Sequence, residues 1–158
     1  MLIKKVIKDI KFELEEIDNL FDLYSNELFE LDREPNLLEL TGVAGVLHSF
    51  YSGIEKIFLS IAKTIDKNIP ADINWHKTLL SQMAEDNERR HAIISNKTKE
   101  ELSGYLAFRH FYRHSYTSHL RWKKMEILVT PLPQTWKRFK SEISSFIKKL
   151  EDKEELEF

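Results

Sequence analysis

The chain has 158 residues, 42% of them apolar and 32% charged, with a formal net charge of −2. That is enough chain for one domain with a sizeable core, and the near-neutral charge leaves any case for nucleic acid to a local basic cluster. With no cysteine, four glycines and four prolines, disulfides, thiolate metal sites and a cysteine nucleophile are excluded, and little turn chemistry remains for a many-stranded fold.

Met1-Leu2-Ile3-Lys4-Lys5 runs into an amphipathic pattern without a signal-peptide core. No stretch approaches the roughly 18 apolar residues of a membrane span, so a cytoplasmic protein without a membrane segment is expected. Residues 2–31 predict a first helix, with Ile3, Val6, Ile7, Ile10, Leu14, Ile17, Phe21, Tyr24 and Leu28 at three- and four-residue steps. A break follows at Asp32-Arg33-Glu34-Pro35-Asn36, because proline disfavours helix at its predecessor. The second helix is expected over 38–66. Gly42, Gly45 and Ser49 share one of its faces and predict close approach of another helix.

Lys67 to Ile73 reads as a loop, with Asn74 as N-cap of a shorter helix from Trp75 to about Asp86. Residues 87–98 read as an ordered connection. Thr98 and Glu101 match a capping box, and the next helix is expected from about Glu100 to Met125. After Thr130-Pro131-Leu132-Pro133, a last helix is predicted over 134–150, with Trp136, Phe139, Ile143, Phe146, Ile147 and Leu150 on one side. The expectation is one all-α domain over 1–150, an antiparallel up-and-down bundle of four long helices and one short, followed by a frayed acidic tail over 151–158.

Chemistry concentrates in Arg109-His110-Phe111-Tyr112-Arg113-His114-Ser115-Tyr116. If the helix ran unbroken, at about 100° per residue, Arg113, His110 and His114 would follow Arg109 at about 40°, 100° and 140°, with Tyr116 at about −20°. Phe108, Phe111, Ser115, Trp122 and Gly104 would occupy the arc from about 200° to 260°. One side then suits packing, while the other carries two guanidiniums, two imidazoles and a phenol. Between Arg109 and Lys124 there are five Lys or Arg residues and no Asp or Glu, which points to an anionic partner.

Arg109-x4-His114 resembles the Arg-x4–6-His motif of the HEPN superfamily. Arg109-x4-His114-x-Tyr116 resembles the narrower form found in HepT-type toxins, and His110 stands where that family often has a polar residue. The segments Phe50–Ile57 and Trp75-His76-Lys77-Thr78-Leu79-Leu80 also follow the HepT-like arrangement, so the resemblance covers most of the chain. It implies a HEPN-like bundle acting as a metal-independent endoribonuclease toxin. It also implies a homodimer whose motif helices meet at a two-fold axis. The antitoxin partner it implies is a small nucleotidyltransferase that neutralises the toxin by adding AMP to the motif tyrosine, Tyr116.

The side chains suit that chemistry. RNA carries its own nucleophile in the 2′-hydroxyl, and a neutral His114 takes its proton near physiological pH. Arg109 offers a permanently charged fork to the phosphate, with Arg113 and His110 in supporting and RNA-binding roles. The alternative reading is a non-catalytic HEPN-like subunit that binds nucleotide or substrate for a two-component nucleotidyltransferase. A purely structural helical adaptor is the third.

His110 and His114 form a legitimate i, i+4 chelating pair. No glutamate follows His110, and Arg109 and Arg113 repel a cation, so no metal is expected. With no glycine-rich phosphate loop and no Rossmann fingerprint, no cofactor is expected either. His48, His76, His91 and His119 read as structural or surface residues. Glu55 either orients a motif arginine or pairs with a surface lysine, and the surface pair is the default. Arg89-Arg90-His91 reads either as extra phosphate contacts or as an exposed connection, the latter being favoured. Trp75, Trp122 and Trp136 are expected to pack the bundle.

Overall fold

In the computed structural model, which describes residues 2–156, the regular structure is helical, and no strand occurs among the described residues. The helices are α1 (Leu2–Leu23), α2 (Leu37–Ile61), α3 (Trp75–Met83), α4 (Asn96–His114), α5 (Trp122–Val129) and α6 (Leu132–Leu156). Both α1 and α2 run on into π-helical turns, Asn26–Glu30 and Ala62–Asp66. No described helix is long and apolar enough to cross a membrane.

Cross-helix contacts give the topology. Gly53 meets Ile17 and Gly42 meets Tyr24, so α1 and α2 are antiparallel. Phe50 packs on Tyr105 while Gly45 faces Tyr112, which makes α2 and α4 antiparallel. Glu101 bonds Thr135 and Arg138 while Ser95 bonds Glu142, and Asp18 bonds Trp136 and Lys140 while Lys11 bonds Glu151. The long helices α1, α2, α4 and α6 therefore form the expected up-and-down bundle, with α3 and α5 as short additions. Phe50, Tyr51, Phe58, Tyr105 and Phe139 fill its centre.

The start of α2 is fixed by a capping box. The Asn36 side chain accepts from the Glu39 N–H at 2.9 Å, and the Glu39 carboxylate accepts from the Asn36 N–H at 2.9 Å. Arg33 adds a fork onto the same carboxylate at 2.6 and 3.0 Å. The Arg33 bonds, and then the Asn36 N–H, hold Glu39 at about 2.

Several expectations need correction. The N-cap of α4 is Ser95, whose hydroxyl accepts from the Thr98 N–H; Thr98 is instead a fully buried residue in the first turn. Asn74 stands at the N-cap of α3 without a capping bond from its side chain. Helix α6 extends to Leu156 rather than ending at 150, so the expected acidic tail is helical as far as it is described, and residues 157–158 lie outside the described residues. The Gly42/Gly45 face is met by the tyrosine side chains of Tyr24 and Tyr112, not by a helix backbone. The tight approach lies at Gly53, where an added Cβ would stand 2.9 Å from Ile17 Cδ1.

The largest departure concerns the motif helix. It ends at His114, with Ser115 in an extended conformation, φ −128° and ψ 157°. A 3-10 turn follows over Thr117–His119, and α5 starts at Trp122. The core explains the break. On an unbroken helix Met125 and Val129 would point about 160° and 200° away from Arg109, opposite Leu102 and Tyr105. The break lets Leu120, Met125 and Val129 all turn inward, where each is buried. Helix α5 then lies back on α4: the Tyr105 hydroxyl donates to the Leu128 carbonyl at 2.5 Å. An added Cβ on Gly104 would stand 3.1 Å from Leu128 Cδ2, so α5 packs closely over this position.

Candidate active site

The site is built where α2, α3 and α4 meet. The buried residues of α4 are Thr98, Leu102, Tyr105, Leu106, Phe108 and Arg109. Relative to Arg109 they span about −100° to +60°, so Arg109 sits in the middle of the packed arc and not on a solvated face. It is 4% exposed. Phe111, expected to pack, is 38% exposed. Trp75 and Trp122 are partly buried against the core, as expected, and Trp136 is buried.

From α2, residues 48, 51, 52 and 55 share one face and supply the surroundings of the guanidinium. Glu55 Oε2 accepts from Arg109 Nη2 at 2.9 Å, and the Glu55 residue is only 7% exposed. The Tyr51 ring lies under the guanidinium, with Arg109 Cζ 5.0 Å from its centroid, and Ser52 Oγ is 3.5 Å from Nη1. The surface-pair default for Glu55 therefore fails, and the other reading, a carboxylate that orients the motif arginine, is what the fold contains. From α3, His76 Nδ1 lies 2.7 Å from Glu55 Oε2 and 3.0 Å from Arg109 Nη2. The His76 ring stacks on Trp75 with centroids 3.6 Å apart.

Another imidazole from α2 lies near this cluster, close enough to feel the charge of Arg109. His48 stacks obliquely on Tyr112 at 5.0 Å, and its Nδ1 is buried without a hydrogen-bond partner. Burial, then the charges of Arg109 and Arg113, push the His48 pKa down, so it favours the neutral form. The Tyr51 hydroxyl is also buried without a partner, and burial raises its pKa, with Glu55 adding to the rise and Arg109 opposing it.

His110, Arg113 and His114 are exposed at the end of α4, and the rings of His110 and His114 are 4.6 Å apart. Arg113 and His114 occupy the last turn, where the helix dipole favours positive charge. Among the described residues no group of three His, Asp or Glu that could hold a metal is present.

Tyr116 is not on the motif helix. It precedes the 3-10 turn with extended backbone, φ −79° and ψ 149°, and is 80% exposed. Its angular position relative to Arg109 therefore has no meaning, although its phenol is freely accessible. Beside it is a small pocket of about 220 Å³ lined by Phe111, Tyr112, Ser115, Thr117 and Leu120. A larger groove of about 1120 Å³ is lined by the start of α1, the turn after α2, residues 88–93 and α6, and contains none of the motif residues.

Arg90 belongs to neither reading of the Arg89-Arg90-His91 run. Its side chain is buried in a fork on Asp66, with both contacts at 2.6 Å, and Gln82 bonds the same carboxylate at 2.8 Å. Burial alone would raise the Asp66 pKa, but these bonds outweigh it and hold it down.

The sequence reading missed His76 as a member of the site. The signal present was a polar stripe, His48-x2-Tyr51-Ser52-x2-Glu55, on an otherwise apolar helix. A carboxylate on a stretch of helix whose neighbours Ile54, Ile57 and Phe58 are all buried needs a cation and further donors, and Arg109 together with His76 supplies them.

Comparison with known proteins bears on the whole of this site. A family model described as HepT-like protein matches residues 42–150, a span that contains Glu55, His76, Arg109, His114 and Tyr116. Searches of curated proteins and of solved structures gave no match. With well over half of its length matched, the chain belongs to the HepT-like family, within the HEPN superfamily.

Proposed function

We propose that the chain is a metal-independent endoribonuclease, the toxin of a toxin–antitoxin pair. Membership of the HepT-like family supports a HEPN-type toxin in general. The observation that carries the finer reading is the layout of α4. Arg109 is anchored inside the bundle by Glu55, while His110, Arg113 and His114 stand exposed over the five residues that follow it, with no carboxylate among them. Exposed Arg113 meets the RNA phosphate, and His114 exchanges a proton with the reacting oxygens. His110 assists in positioning. Arg109 adds positive potential from behind and fixes the pitch of the helix that presents the others. The 2′-hydroxyl attacks the adjacent phosphorus, giving a 2′,3′-cyclic phosphate and a 5′-hydroxyl. In this reading the chain works as a homodimer, and its partner is a nucleotidyltransferase antitoxin that places AMP on Tyr116. The test is RNA cleavage in EDTA by the purified wild type beside His114→Ala. Cleavage by the wild type alone supports the reading; equal cleavage by both overturns the role of His114.

The burial of Arg109 favours one second reading, a non-catalytic subunit that binds nucleotide for a partner transferase. Nucleotide affinity without RNA cleavage would establish it.

A further inference from the structure

We propose that the small pocket beside Tyr116 is a nucleobase subsite, which holds one unstacked base of the RNA strand next to the phosphate that His114 serves. This deepens the ribonuclease reading above and rests on it.

The pocket exists because α4 stops at His114. Ser115 takes extended backbone, and the chain turns through Thr117–His119. Tyr116, Thr117 and Leu120 then enclose, with Phe111, Tyr112 and Ser115, a cavity of about 220 Å³. The turn is well tied. The His119 N–H donates to the Tyr116 carbonyl at 2.9 Å, and the Leu120 N–H to the Thr117 carbonyl at 3.1 Å. Arg121 Nη1 donates to the carbonyls of Ser118 and Leu120, both at 2.9 Å. The rings are backed as well. Phe108 lies 6.2 Å from Phe111 and 6.3 Å from Tyr112, and His119 meets the Tyr116 ring edge-on at 6.2 Å. Leu120 is buried, while Phe111 and Tyr116 keep open ring surface.

This lining selects the occupant. Three of the six residues are aromatic, two carry hydroxyls and none is charged. A flat, neutral ring with polar edges suits such a site: its face stacks on the aromatics and its edge bonds to Ser115 and Thr117. The cavity is smaller than the roughly 300 Å³ at which clefts for drug-sized molecules begin, so it takes one ring system rather than a whole nucleotide.

The charge for the rest of the nucleotide lies alongside. His114 follows Phe111 by three residues on α4, so their Cβ atoms are about 5–6 Å apart on the helix surface. His114 also directly precedes Ser115, which lines the pocket. Arg113, Arg121, Lys123 and Lys124 are exposed in the same stretch, and no Asp or Glu occurs from 109 to 124. A strand whose phosphate reaches His114 therefore has a base within one sugar of the pocket. Seating that base holds the nucleotide by both ends, and it requires a base free of pairing, so the site takes single strands.

The test is binding of a random-sequence, single-stranded 2′-O-methyl RNA pool in EDTA, read by fluorescence polarisation; the methyl group blocks the nucleophile, so nothing is cut. Phe111→Leu and Tyr116→Leu each remove a ring and keep an apolar side chain. Each is expected to weaken binding roughly 5- to 150-fold, the loss of one base–aromatic stack. Phe111→Tyr and Tyr116→Phe keep the ring and should bind as the wild type does. The dependence of affinity on salt should be unchanged, because the phosphate contacts remain. Inorganic polyphosphate, which has no bases, should bind all five proteins equally. Wild-type RNA affinity in both leucine variants would overturn the proposal, as would an equal loss for polyphosphate. A smaller particle mass by light scattering in the leucine variants would assign the pocket to contact between copies of the chain and would also overturn it. So would AMP binding that depends on Phe111 while RNA binding does not, since the base would then come from a free nucleotide. Cleavage of unmodified RNA, followed alongside, separates the two readings. A wild type that binds but leaves RNA intact fells the ribonuclease reading; leucine variants that bind and cut as the wild type does fell only the base subsite.

Discussion

Arg109 Nη2 donates to Glu55 Oε2 at 2.9 Å, with both side chains almost wholly shielded from water. Removing one partner leaves the other as an uncompensated buried charge, which costs about 3–5 kcal/mol. Glu55→Gln and Arg109→Ala should each lower stability by that order in urea titrations. The double variant Glu55→Gln/Arg109→Gln should lose clearly less than the sum, since the groups are coupled. Additive losses would show that the pair is not the source of the stability. An inactive Arg109→Ala protein therefore has to be read beside its unfolding curve.

His114 offers the cleaner functional test because it is exposed at a helix end. His114→Ala should unfold within about 0.5 kcal/mol of wild type, as surface substitutions usually do. RNA cleavage by the wild type should persist in EDTA and be lost in the variant. Activity that vanishes with EDTA and returns with a divalent ion contradicts the mechanism.

Modification by the partner transferase should fall on Tyr116. Its phenol is 80% exposed, whereas Tyr105 is 1% exposed and Tyr112 is packed against His48. AMP from ATP would join the phenolic oxygen, with pyrophosphate leaving, and set a negative phosphodiester near the cationic end of α4. Peptide mapping after co-expression should find the added mass on Tyr116, and Tyr116→Phe should escape both modification and neutralisation. Added mass on Tyr112 instead would refute the assignment.

Acid should weaken the start of α2. The Glu39 carboxyl titrates at about 2 in the fold against an ordinary 4.5. A depressed carboxylate contributes stability that is complete above its unfolded pKa and is lost as pH falls through the folded value. The loss should therefore develop from pH about 4.5 down to about 2, and Asp66, also held low, adds in the same direction. Glu39→Gln should flatten part of that slope in urea midpoints measured against pH. Asn36→Ala, which removes the other half of the capping box, should cost about 1 kcal/mol at neutral pH.

What the sequence by itself determined was the bundle and the place to look. The three- and four-residue spacing of Ile10, Ile17 and Phe21, of Val43, Phe50 and Ile57, and of Phe139, Ile143 and Phe146 is local, and a helix with such a stripe has to bury it. The Arg109-x4-His114-x-Tyr116 pattern was equally legible, because it is a matter of residue order. The path of the chain after His114 was not. A helical projection assumes that the helix continues, whereas the decision to break was made by Leu120, Met125 and Val129, which reach the core together only if it does not. The same holds for Arg109. Its neighbours in sequence are His110 and Phe108, but its electrostatic state is set by Glu55 and His76, 54 and 33 positions away. Periodicity reports which side of a helix is apolar. Whether a charged residue on that side is paired, and with what, depends on which side chains the other helices bring within about 3 Å, and only the packed structure decides that.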